Sequence, residues 1–80
     1  MTNIEIQQKL TVIFRDVFDD PALEITDATT AKDIPGWDSL THVNMIVAVE
    51  KAFGMSFTTK DVKGLANVGS LIELIGKRLK

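Results

Sequence analysis

Cysteine is absent from this 80-residue chain, which excludes disulfides and thiolate metal sites. Proline is confined to Pro21 and Pro35, both between residues 19 and 37, so no proline interrupts a helix elsewhere. No apolar run is long enough to cross a bilayer, and the N-terminus lacks a signal-peptide pattern. The expected location is therefore the cytoplasm. Histidine occurs once, at His42, and there is no Gly-x-Ser-x-Gly elbow. A serine nucleophile would need a base and an oxyanion hole in reach. A chain of 80 residues also leaves little room for a substrate cleft. Neither catalysis by the chain itself nor a bound metal is expected.

Charge of one sign is scarce on either side of residue 38. Residues 16–38 hold Asp16, Asp19, Asp20, Glu24, Asp27, Asp33 and Asp38 against Lys32 alone. Beyond them, Glu50, Asp61 and Glu73 face Lys51, Lys60, Lys63, Lys77, Arg78 and Lys80. The acidic collar repels nucleic acid and favours partners with basic patches. The simpler reading, solvated loop acids, stands beside that one. A DNA-reading helix would need a basic face, whereas residues 38–53 carry Asp38 and Glu50 against Lys51.

What is present is helical periodicity. Apolar residues make up 45% of the chain, enough for one compact core in a single domain over residues 1–80. Thr2-x-x-Glu5 reads as a capping box. Ile6, Leu10, Ile13, Phe14, Val17 and Phe18 then recur at helical spacing. Residues 19–37 form a long loop, which Leu23, Ile25 and Ile34 are expected to pin to the core. A second helix is expected from Asp38 as N-cap to Phe53, with Gly54 as its stop. Thr58 or Thr59 would cap a short third helix reaching about Gly64. Ser70-x-x-Glu73 reads as a capping box opening a last helix, with Leu71, Leu74, Ile75 and Leu79 on its apolar side. Lys77, Arg78 and Lys80 suit the C-terminal end of its dipole. No useful β alternation and no repeat appear. The expectation is an all-α bundle of three main helices and a short third one, with a long loop between the first and second.

Asp38-Ser39-Leu40 stands at the loop-to-helix junction. A serine in the first helical turn is exposed and lies beside backbone N–H groups that have no partner in the helix. A phosphate on its hydroxyl would sit at the positive end of the dipole.

From Gly36-Trp37-Asp38-Ser39-Leu40 through Glu50-x-x-Phe53 and Phe57 to Asn67-Val68 and Leu74-Ile75, the chain resembles the acyl carrier proteins. The first half matches only in outline. The resemblance implies an acyl-carrier-like four-helix bundle with a covalent 4′-phosphopantetheine arm on Ser39. It also implies that Asp38 serves the phosphopantetheinyl transferase as well as the cap. The arm's thiol would hold acyl intermediates as thioesters, and a chain without cysteine brings no competing thiol. The implied partners are the transferase and the enzymes that load and transfer acyl or aminoacyl groups. The protein would act as a monomer, without a membrane span or nucleic acid, in fatty-acid, polyketide or other lipid metabolism.

On a helical wheel, Met45, Ile46, Val49 and Phe53 share a core-facing arc, and Leu40, Asn44, Val47 and Lys51 share another. The second arc is the expected partner surface, since the resemblance assigns this helix to recognition. Trp37 could join it, or close the loop over the helix start. His42 is read as a partly buried, hydrogen-bonded residue. Met45, Val49, Phe53 and Leu74 are candidate linings for a sheltered acyl chain, with ordinary core packing as the plainer reading. Better-known fatty-acid carriers have acids where this chain has Thr41, Asn44 and Lys51, so a specialised pathway is expected. The alternatives are an aminoacyl or peptidyl carrier, marked by an adenylating enzyme that loads it, and an unmodified helical interaction module.

Overall fold

The structure, a computed structural model, describes residues 2–79. Four helices follow in order: α1 (Asn3–Val17), α2 (Ser39–Phe53), α3 (Thr59–Lys63) and α4 (Val68–Arg78). No strand occurs among the described residues. Among the described residues, no helix is long and apolar enough to cross a membrane.

The expected capping box opens α1. The Thr2 hydroxyl accepts the Glu5 N–H at 3.2 Å, and the Glu5 carboxylate accepts the Thr2 N–H at 2.9 Å. Ile6, Leu10 and Phe14, spaced four apart, are fully buried, and α1 packs on α2 and α4 along that side. Asp38 caps α2, whose Met45, Ile46 and Val49 enter the same core. Gly54 ends α2 with φ at 65°, a left-handed conformation that glycine adopts without a Cβ penalty. Thr58, the first of the two expected caps, opens α3, with Asp61 completing its box. Asp61 also pairs with Arg78 of α4. Arg78 donates again to the Ser56 carbonyl at 3.2 Å, which ties the end of α4 to the turn before α3.

The start of α4 differs from the sequence expectation. The cap is Asn67, not Ser70, and the helix begins at Val68. Asparagine caps as well as serine does, and starting three residues earlier buries Val68 completely. Asn67 Oδ1 accepts the Ser70 N–H at 2.8 Å and the Ser70 hydroxyl at 3.1 Å, so Ser70 serves inside the first turn. The two earlier N–H groups find partners in the long loop. Val68 donates to the Thr29 carbonyl at 2.9 Å and Gly69 to the Asp27 carbonyl at 2.8 Å. A Cβ on Gly69 would lie 3.0 Å from the Asp27 oxygen, so a larger residue there would press on the loop. Lys80 falls outside the described residues.

The loop itself is anchored. Ile25 and Ile34 are buried and Leu23 is half-buried. Arg15 Nε donates to the Leu23 carbonyl at 2.7 Å, and Gln7 Nε2 to the Ile25 carbonyl at 3.1 Å. Buried Thr29 accepts the Thr26 N–H at 2.8 Å. These bonds satisfy backbone groups that a long loop would otherwise leave unpaired. They deliver residues 35–38 to the start of α2 in one place.

Candidate functional site

Ser39 is the first residue of α2 and is exposed. It stands there because the residue before it is a strong cap. Asp38 Oδ1 accepts the Thr41 N–H at 3.0 Å, and Thr41 Oγ1 accepts the Asp38 N–H at 2.8 Å. The Thr41 hydroxyl donates back to the Gly36 carbonyl at 2.8 Å, which fixes the approach of the loop. The Thr41 N–H, helped by the Thr41 hydroxyl, holds the Asp38 carboxyl below its ordinary value and keeps it ionised.

Trp37 lies half-buried between this junction and the core. Its ring meets Phe14 edge-on at 5.4 Å and Phe18 at 5.9 Å. Its Nε1–H donates to His42 Nδ1 at 3.1 Å, and the two rings stack. His42 is therefore half-buried and hydrogen-bonded. Since Trp37 can only donate, neutral His42 carries its proton on Nε2. Such an imidazole has no free lone pair with which to activate Ser39.

The exposed side of α2 is more apolar than the sequence wheel suggested. Leu40 is 70% exposed, Val43 55% and Val47 42%. Asn44 and Lys51 are exposed on the same helix. Val43 was missed as a surface residue, although it lies one turn after Ser39 and the i, i+4 relation was legible. Glu50, the helix's remaining acid, is half-buried and accepts the Phe57 N–H at 2.8 Å. An open groove of about 580 Å³ adjoins Ser39. Trp37, His42 and Val43 wall it, Asp38 shares it, and Ala31 and Lys63 reach it from the loop and α3. No sequence pattern placed Lys63 there, because that neighbourhood is created by the turn into α3.

The four residues considered for an acyl lining do not form one set. Met45 and Val49 are buried in the core and Phe53 packs against it. Leu74 instead lines an open groove between α3 and α4, with Lys60, Leu65 and Glu73.

An exposed hydroxyl at a helix start, beside an open groove that Lys63 also reaches, fits a group linked through phosphate. The family described as "Phosphopantetheine attachment site" matches residues 8–75. The solution NMR structure of a holo acyl carrier protein from Geobacter metallireducens is similar at 44% identity and TM-score 0.86, covering 91% of this chain and 84% of that one. The chain belongs to the acyl carrier protein family. It is a four-helix carrier rather than a catalyst, and its cofactor is covalent 4′-phosphopantetheine.

Proposed function

We propose that Ser39 Oγ is the attachment atom and that the protein carries acyl groups between partner enzymes. The observation behind this reading is the exposed Ser39 hydroxyl at the first position of α2, directly after the Asp38 cap. In the modifying step the Ser39 hydroxyl attacks the pantetheine-side phosphorus of coenzyme A. The Oγ–P bond forms, the pyrophosphate P–O bond breaks, and adenosine bisphosphate leaves with the electron pair. The serine proton passes to the transferase. Asp38 holds the helix start and presents its ionised carboxylate to that enzyme. The first turn then steadies the phosphodiester by about 0.3–1 kcal/mol. When attached, the group supplies a terminal thiol on which an acyl unit is held as a thioester.

Leu40, Asn44, Val47 and Lys51, with Trp37 at the edge, form the proposed docking side for loading and acyl-transfer enzymes. The exposure of Leu40 and Val47 supports this assignment. That face offers an apolar centre with few acids, since Glu50 is engaged with Phe57. It favours a specialised lipid or polyketide pathway over the housekeeping fatty-acid one. The proposal includes a cytoplasmic monomer built as a single carrier domain over residues 1–80. Sheltering of a long acyl chain would draw on Met45, Val49 and Phe53, at about 0.8 kcal/mol per buried methylene less the cost of opening the core.

The deciding experiment is incubation with coenzyme A and a broad-specificity transferase, read by intact mass. One arm's mass should be added to the wild type and none to Ser39→Ala. Uptake by Ser39→Ala would overturn the assignment, and no uptake by either protein would favour a plain interaction module. Charging of the loaded protein with an amino acid by an adenylating enzyme would favour an aminoacyl carrier.

A further inference from the structure

The groove beside Ser39 holds two nitrogen donors to which attachment alone gives no task. One is His42. With Nδ1 engaged by the Trp37 indole, its Nε2–H is available. Trp37 is itself held against Phe14 and Phe18, so the core sets both the ring position and the tautomer. The other donor is Lys63, exposed on α3 and without an ion pair among the described residues. Both line the groove that Ser39 lines, and Ser39 and His42 are neighbours on one side of α2.

Resting on the assignment of the arm to Ser39, we infer that His42 and Lys63 seat the arm's phosphodiester. His42 acts as a positioning residue through Nε2–H, and Lys63 supplies the opposite charge. Trp37 and Val43 take the geminal methyl groups of the pantetheine. The charges favour such a seat. The Asp38 carboxylate lines the same groove and repels a phosphodiester anion. Lys63 offsets that repulsion, and a charge-assisted bond from the His42 Nε2–H adds a directed contact. Together these contacts bias the base of the arm to lie along the groove.

The test uses the full chain, loaded with coenzyme A by a transferase and checked by intact mass. NOEs are expected from the geminal methyls to the Trp37 ring and the Val43 methyls. The His42 Nε2–H resonance should move between unloaded and loaded protein. Lys63→Ala, an exposed change that leaves the core alone, should shift the ³¹P resonance and weaken the NOEs. His42→Phe keeps a flat ring beside Trp37 but lacks the donor, and should lose the NOEs. His42→Gln can accept from the indole and still donate, and should restore them. Loaded wild type without these NOEs, or a ³¹P resonance unmoved in Lys63→Ala, would overturn this inference alone. Failure to add any mass would overturn the carrier reading and this inference together.

Discussion

Glu50 Oε2 accepts the backbone N–H of Phe57 at 2.8 Å, joining the last turn of α2 to the strap that leads into α3. The side chain is half-buried, so this acid holds the fold together instead of standing free for a partner. Glu50→Ala should destabilise by about 1–2 kcal/mol, because it leaves the Phe57 N–H without its acceptor. Glu50→Gln keeps a carbonyl oxygen in place and should cost less. Urea unfolding of the three proteins checks the order.

Asp38 contributes to stability and, on the proposed reading, to modification. Asp38→Ala removes the cap of α2 and should lower the melting temperature. Asp38→Ser retains a capping oxygen without the charge. Its stability should stay near wild type while its rate of arm uptake falls. Thermal unfolding and a timed transferase assay separate the two effects. Equal uptake rates for Asp38→Ser and wild type would show that the transferase does not use the carboxylate.

Acid should destabilise the protein through its caps. Glu5, Asp38 and Asp61 are each held below their ordinary values, chiefly by the backbone N–H groups of Thr2, Thr41 and Thr58. The unfolded chain therefore takes up these protons at higher pH than the folded chain does. The stabilisation is fully present above the ordinary carboxylate range and is lost as pH falls through the lower folded values. The urea midpoint contributed by these groups should be level from pH 7 to about 5 and decline below that. Combining Glu5→Gln, Asp38→Asn and Asp61→Asn should flatten the acid side of that curve.

Gly69→Ala tests the contact between loop and α4. Alanine is the better helix former, so propensity alone predicts a gain, smaller in this first turn than the ~1 kcal/mol of a helix interior. The added Cβ, 3.0 Å from the Asp27 carbonyl oxygen, must instead push the loop away. A net loss is expected, because the atom that must give way is the backbone carbonyl to which the position-69 N–H is bonded. Faster amide exchange at Val68 and at position 69 should accompany it.

Local chemistry made much of this fold legible. The caps at Thr2, Asp38 and Thr58 and the stop at Gly54 all act over three or four residues, so they could be found from spacing. Ile25 and Ile34 stood out as apolar residues in a polar loop. The start of α4 was harder, because Asn67 and Ser70 are both good caps three residues apart. What decides between them is the burial of Val68 and the supply of carbonyls from Asp27 and Thr29. Contacts between distant residues left no local trace. The bonds from Arg15 and Gln7 to the loop belong to this class, as does the placing of Lys63 beside Ser39.

The bonds from Val68 and Gly69 to Thr29 and Asp27 clasp the long loop to the final quarter of the sequence. Stretches some forty positions apart thereby become a single mechanical unit. A shortened version lacking α4 would forfeit more than one helix, because the path leading into Ser39 would lose its moorings. Damage near the C-terminus should therefore be felt as sloppy presentation at the opposite end of the circuit.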